Sequence, residues 1–140
     1  MNIDKDKVNK INQFLTENIK PYLIYLFGSS VNGIFREDSD IDIAFISDIN
    51  TTDYEIFMLA QKLANILKRD VDLINLKKAS TVFRIQVIAK GEKIYCIDNK
   101  RRAYFEMYAF KDYATLNEER EIVLKNIKKR GKIYEWCDIE

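Results

Sequence analysis

Apolar residues recur along the chain at two different spacings, which predicts helices alternating with short strands. Intervals of three and four residues predict an amphipathic first helix that ends before Pro21. Its apolar face consists of Val8, Ile11, Leu15 and Ile19. Two apolar runs follow, at residues 22–27 and 41–46, and each has the length of a strand rather than of a helix. The first part of the chain therefore predicts a helix followed by two strands.

The alternation continues after the second strand. Thr52 and Glu55 have the spacing of a capping box, which predicts the start of an amphipathic helix. Lys68 and Arg69 come at its end, where positive charge favours the last turn of a helix. The next apolar run, residues 71–75, predicts a third strand that places Asp72 on the face opposite its two apolar neighbours.

A second helix–strand unit and a long final helix complete the pattern. Ser80 is a suitable N-cap and Gly91 a suitable C-cap for one helix, and a short strand is predicted at residues 93–97. Residues 99–130 show helical spacing of apolar positions, which predicts one long helix or two helices with a break near Asn117.

The order of these elements predicts an α/β (α+β) fold, a small mixed β-sheet covered by helices. A chain of 140 residues has the size of one ordinary domain with its own hydrophobic core. We divide this domain into a core, residues 1–98, and a C-terminal helical extension of the same domain, residues 99–140.

Composition narrows the chemistry that the chain can perform. The net charge is +1, from 23 Lys and Arg against 22 Asp and Glu, so no overall basic field favours direct nucleic-acid binding. The absence of histidine, with Cys96 and Cys137 as the only cysteines, excludes zinc-finger spacing and Cys–His catalysis. The polar N-terminus and the lack of a long apolar run predict a cytoplasmic protein that makes no membrane contact and keeps both thiols free.

The strongest candidate for chemistry is the stretch LFGSSVNGIFREDSDIDIAFI, residues 26–46. Asp40 and Asp42 project from one face of a predicted strand, because side chains alternate along a strand. Two carboxylates this close repel each other unless a cation lies between them, and Mg²⁺ favours oxygen ligands and takes further ones from phosphates. Gly28 lets the backbone approach such a phosphate, and Ser29 adds a hydroxyl donor. The stretch therefore predicts a site for a metal and a nucleoside triphosphate.

Glycine-serine, a spacer of ten residues and Asp-x-Asp together resemble the signature of the DNA polymerase beta-like nucleotidyltransferases, and of the minimal nucleotidyltransferases in particular. The resemblance implies that Asp72 is the third carboxylate of the site. It also implies that Asp40 and Asp42 bind two Mg²⁺ ions, that Asp72 completes the metal on the acceptor side, and that Gly28 and Ser29 hold the phosphates of ATP.

The length and the pattern from Asp72 to the final helix are similar to the antitoxin of HEPN/MNT toxin/antitoxin pairs. This resemblance implies transfer of AMP from ATP to a tyrosine of a partner HEPN ribonuclease encoded nearby, which silences that toxin. Two other functions stay open. One is adenylylation of a small molecule such as an aminoglycoside, and the other is a non-catalytic module that neutralises a toxin by binding alone.

Two further features allow alternative interpretations. Four cations near the predicted site could contact phosphate or could simply be solvated; they are Arg36, Lys77, Lys78 and Arg84.

The final helix carries an apolar face wider than one small sheet requires, which predicts either a docking surface for the partner or burial in this chain's own core. This face consists of Ala103, Tyr104, Met107, Tyr108, Phe110 and Ala114.

Overall fold

The computed structural model describes residues 3–28 and 40–129. Four helices and four strands alternate in the order that the sequence predicts. They are α1 (Lys5–Ile19), β1 (Pro21–Phe27), β2 (Ile41–Ser47), α2 (Asp53–Leu67), β3 (Val71–Asn75), α3 (Thr81–Lys90), β4 (Glu92–Cys96) and α4 (Asn99–Lys129).

The four strands form one mixed sheet with the order β3-β2-β1-β4. β1 lies in the centre and pairs antiparallel with β2 and with β4. β2 and β3 are parallel, because α2 carries the chain back between them. The predicted mixed sheet covered by helices is therefore confirmed, and β3 is an edge strand within the described residues.

Each face of the sheet packs against its own pair of helices. α1 and α2 cover one face, where their buried side chains meet inward-facing residues of β1 and β2 such as Ile24, Ile43 and Phe45. α3 and α4 cover the other face, where Val87 packs against residues such as Ala44. Strand alternation places Asp42 on this second face, at the start of β2.

The helix termini follow the predicted capping with one difference. Thr52 accepts a hydrogen bond from the backbone N–H of Glu55 at 3.1 Å, and Ser80 caps α3 in the same way. α2 ends at Leu67, however, so the expectation that Lys68 and its neighbour lie in the last turn was wrong. Lys68 instead ends the helix as a C-cap with φ +59°, and its backbone N–H donates to a carbonyl of that turn.

The other predicted boundaries hold to within a residue or two. β4 begins at Glu92, one position before the predicted strand. α4 continues through Asn117, so the single-helix alternative is correct.

Cys96 is a free thiol, whereas Cys137 lies outside the described residues. Within the described ranges, no helix combines the length and apolar character needed to cross a membrane.

The first turns of α4 are tied to the sheet by polar contacts. Arg101 donates two hydrogen bonds to the carboxylate of Asp48, at 2.8 and 2.6 Å, and its guanidinium lies 3.8 Å from the ring centroid of Tyr22. One turn later, the hydroxyl of Tyr25 donates to Glu106 at 2.8 Å. Residues 117–126 are exposed, so the second half of α4 extends away from the core.

Candidate active site

The candidate site lies where β1 ends and β2 and β3 begin. Phe27, the last residue of β1, is opposite Asp42 in the antiparallel register, and Asp42 is opposite Asp72 in the parallel register. Gly28 directly follows β1, and Asp40 directly precedes β2. The fold thus brings together four of the five residues that the sequence singles out. The fifth, Ser29, lies outside the described residues.

Gly28 is in close contact with the carboxylate of Asp42. Its φ of +69° lies in the left-handed region that favours glycine. A Cβ atom at this position would lie 2.2 Å from Oδ2 of Asp42, so any side chain here would overlap the carboxylate. Glycine therefore allows the backbone at the end of β1 to lie directly against the carboxylate.

The carboxylate of Asp42 is held in an unfavourable electrostatic environment. Partial burial, with smaller contributions from the negative charges of Asp72 and Asp40, raises its pKa to about 6. Asp40 and Asp72 are themselves exposed. The three side chains are thus close enough to repel one another, and no described cation offsets the charge on Asp42.

This set of donors fits a divalent metal ion by its chemistry. Carboxylate oxygens suit Mg²⁺, and a bound cation would remove the repulsion that raises the pKa of Asp42. Over residues 3–28 and 40–129, however, no three acidic, His or Cys side chains converge into a ready-made metal cluster. A site of this kind is completed by ligands from outside the protein, as Mg²⁺ sites commonly are when phosphate oxygens are available.

Arg84 is a structural residue rather than a phosphate ligand in this conformation. Its Nε donates to the carbonyl of Leu76 at 2.7 Å, and its Nη2 donates to the carbonyl of Lys77 at 2.6 Å. Its guanidinium also lies 6.0 Å from the ring centroid of Phe105. Arg84 therefore fixes the loop that connects β3 to α3 and packs this loop against α4.

The two lysines of that loop also make contacts away from the carboxylates. Lys77 lies 3.9 Å from Asp48, and Lys78 lies 3.6 Å from Asp53. The structure therefore does not bring these predicted cations to Asp42. The fourth candidate, Arg36, lies outside the described residues.

A groove that the sequence does not predict lies beside Asp72. It has a volume of about 530 Å³ and runs between α2 and the outer edge of β3. Its lining includes Ile56, Phe57, Gln61, Ile74 and Ala79 in addition to Asp72. Phe57 is 59% exposed although it lies three residues before the buried Ala60, a helical interval that also fits a core position, so the local sequence carries no signal for the groove.

Comparison with known sequences identifies the family. Residues 9–100 match the family described as Polymerase beta, Nucleotidyltransferase. Protein adenylyltransferase MntA of Shewanella oneidensis is 38% identical over 123 residues, which cover 85% of this chain and 86% of that protein. Spectinomycin 9-adenylyltransferase of Enterococcus faecalis is 26% identical over 146 residues, which cover 96% of this chain and 56% of that enzyme.

Comparison with solved structures agrees with this result. A toxin–antitoxin crystal structure with AMP-PNP matches with a TM-score of 0.77 and 37% identity, over 86% of this chain and 98% of that one. A structure of tri-AMPylated Shewanella oneidensis HEPN toxin in complex with MNT antitoxin matches with a TM-score of 0.74 and 34% identity, over 90% of this chain and 99% of that one. The chain therefore belongs to the polymerase beta nucleotidyltransferase family.

Proposed function

We propose that this chain is a magnesium-dependent protein adenylyltransferase that moves AMP from ATP to a tyrosine hydroxyl of a HEPN-type toxin and thereby acts as its antitoxin. The observation that carries the proposal is the register that sets Asp42 beside Asp72, with Gly28 against the Asp42 carboxylate. The similarity to MntA and to the complex with an AMPylated toxin supports the choice of substrate.

Each residue of the site has a part in this reaction. Asp40 and Asp42 would hold two Mg²⁺ ions, with Asp72 a ligand of the one on the acceptor side, and bound metal would neutralise charge on the phosphates. Gly28 and Ser29 would position the β- and γ-phosphates through backbone N–H groups and a hydroxyl.

The covalent step exchanges one phosphorus–oxygen bond for another. The acceptor hydroxyl oxygen attacks the α-phosphorus in line, the bond to the bridging oxygen breaks, and pyrophosphate leaves with that oxygen. Asp72 lies on the acceptor side in this assignment, so its carboxylate takes the hydroxyl proton. Phosphoryl chemistry depends mainly on positioning and charge neutralisation, which explains how a chain without histidine can perform it.

α4 offers a surface for the toxin. Four large apolar side chains on this helix are each about half exposed: Tyr104 at 50%, Met107 at 51%, Tyr108 at 53% and Phe110 at 48%. The alternative in which the whole apolar face is buried in this chain's own core was therefore wrong. Exposed apolar residues grouped on one helix are typical of protein interaction sites.

The decisive experiment combines the purified chain, ATP, Mg²⁺ and the HEPN-type protein encoded beside it, followed by intact-mass measurement of that protein. We expect the mass to rise by one or more AMP units, and we expect Asp72→Asn to abolish the rise. Asp6→Asn removes an exposed carboxylate on α1, on the face of the sheet opposite Asp42 and α4, and serves as the control that retains activity.

The same experiment separates the two other candidate functions. Modification of spectinomycin with an unmodified partner protein would favour the small-molecule function that the Enterococcus faecalis relative suggests. A stable complex in which neither the protein nor an aminoglycoside gains AMP would favour the non-catalytic binding module.

The docking surface on α4 has its own test. Replacement of Tyr104 and Tyr108 by glutamate should leave the melting temperature and ATP binding unchanged, because both side chains are half exposed, but should prevent modification of the partner. Tyr54→Glu places one such charge on an exposed aromatic position of α2 and is the control for each single α4 substitution. Full modification by the α4 double variant would show that the toxin docks elsewhere.

A further inference from the structure

Over residues 3–28 and 40–129, no strand pairs with the outer edge of β3. Ile41 N–H donates to the carbonyl of Asp70, and Leu76 N–H donates to the carbonyl of Phe45, which fixes the pattern of the parallel β2–β3 ladder. In such a ladder, every second residue of β3 turns its N–H and C=O towards β2. The N–H and C=O groups of Val71 and Leu73 therefore point away from the sheet.

Asp72 lies between these two residues, so the open edge passes directly through the candidate active site. No described strand pairs with this edge, since β3 is the terminal strand of the sheet. An exposed row of backbone donors and acceptors is a template for pairing with another extended chain. A strand added here would lie about 4.8 Å from β3.

The groove supplies the side-chain part of such a binding site. It follows the same edge, and its volume of about 530 Å³ is large enough for one or two side chains that point towards α2. Ile56 and Phe57 give it an apolar wall. Its charged lining residues are Asp53, Asp72 and Lys78, and the lysine lies 3.6 Å from Asp53. Lys78 therefore offsets Asp53, and the remaining carboxylate is the proposed metal ligand Asp72, so the groove has no further uncompensated charge.

We infer that the acceptor polypeptide binds as an extended strand along the outer edge of β3, with apolar side chains in the groove and the acceptor hydroxyl on the face of Asp72. This inference rests on the proposed function and names how its protein substrate is held. Side chains of an added strand alternate between the two faces, so a residue level with Asp72 enters the site from the carboxylate side. The apolar wall and the offset charges of the groove favour uncharged side chains in the bound segment.

Paired variants on α2 test the groove, with the HEPN-type protein encoded beside this chain as the probe. Phe57→Glu adds charge inside the groove, whereas Tyr54→Glu adds it to an aromatic residue of the same helix that lines a different depression. Both side chains are exposed, at 59% and 70%, so both variants should fold. We expect Phe57→Glu to slow AMP transfer to the protein about tenfold or more, the loss typical of a central interface residue. Tyr54→Glu should transfer at the wild-type rate, and ATP-dependent stabilisation should be unchanged in both.

Hydrogen exchange of the wild-type protein tests the strand pairing without any substitution. The amide of Val71, which is only partly buried, should exchange rapidly in the free protein and become protected when the acceptor protein is bound. The amides of Asp72 and Ile74 already donate to β2 and should change little. A wild-type chain that transfers no AMP would overturn the proposed function and this inference with it. Normal transfer by Phe57→Glu, or unchanged exchange at Val71 in a complex that does transfer AMP, would overturn this inference alone.

Discussion

Asp42→Asn should stabilise the metal-free protein at neutral pH while abolishing AMP transfer. The wild-type carboxylate is partly buried and repelled by Asp72 and Asp40, which together raise its pKa from 3.8 to about 6. An ionised group in this position destabilises the folded state, because the unfolded chain exposes the same group to water. The amide has a similar shape and no charge, so it relieves the repulsion but cannot serve as an anionic metal ligand.

The size of the effect follows from the pKa. A rise in the pKa of Asp42 from 3.8 to about 6, at about 1.4 kcal/mol for each unit, corresponds to a loss of about 3 kcal/mol in the free energy of unfolding before solvent screening is considered. Asp42 is only partly buried, and solvent screening reduces this figure to about 1–2 kcal/mol. In a domain of this size, that gain raises the melting temperature by about 3–8 °C.

The dependence on pH makes the test specific. With its raised pKa, Asp42 keeps its proton in the folded state up to about pH 6, so unfolding releases a proton between pH 3.8 and 6. Wild-type stability therefore falls as the pH rises through this window. The advantage of Asp42→Asn should be complete above pH 6 and should disappear below 3.8.

Thermal melting in EDTA across this pH range measures the effect, with Asp112→Asn as the control for an exposed carboxylate. A stabilisation that does not vary with pH would show that electrostatic repulsion is not its cause. A lower melting temperature for Asp42→Asn at pH 7.5 would show that the carboxylate holds the fold together, and would refute the assignment of Asp42 to a metal site.

Three further predictions use neighbouring contacts. Gly28→Ala should destabilise the protein by about 1–3 kcal/mol and abolish ATP binding, because its Cβ would overlap the carboxylate of Asp42; melting with and without Mg²⁺-ATP measures both. Asp72→Asn should retain ATP-dependent stabilisation but lose transfer. Titration followed by NMR should show a lower pKa for Asp42, which burial still holds above 3.8. Tyr25→Phe removes the hydrogen bond to Glu106 and should cost about 1 kcal/mol in denaturant unfolding without a change in transfer.

Local sequence predicted the fold and the strand positions of Asp42 and Asp72 because short-range physics decides both. The apolar spacing of α1 and the caps at Thr52 and Ser80 act within a few residues, so no tertiary information was needed to place these helices. The position of Asp72 followed from alternation along β3, and the parallel register then sets it beside Asp42. The signature around Gly28 gave the family before any contact was known.

The features that local sequence did not predict depend on contacts between distant segments. An arginine after β3 looks the same in the sequence whether its side chain binds phosphate or a loop carbonyl. Only the path of the β3–α3 loop decides between the two. The sequence showed the width of the apolar face of α4, but the exposure of this face depends on which side of the helix packs against the sheet and α3. The groove at Phe57 likewise exists only because β3 is the terminal strand.

The repulsion at Asp42 links stability to the state of the active site. Above pH 6, the metal-free protein carries an ionised carboxylate that destabilises it, and a bound cation removes that effect. Mg²⁺ and ATP together should therefore raise the melting temperature by more than the sum of their separate effects. ATP supplies phosphate oxygens that complete the metal site, and Mg²⁺ offsets the repulsion between the phosphates and the carboxylates. In Asp42→Asn the joint effect should vanish although the free protein is more stable. Equal stabilisation by ATP with and without a divalent ion in the wild-type protein would mean that the nucleotide binds without a metal bridge to these carboxylates.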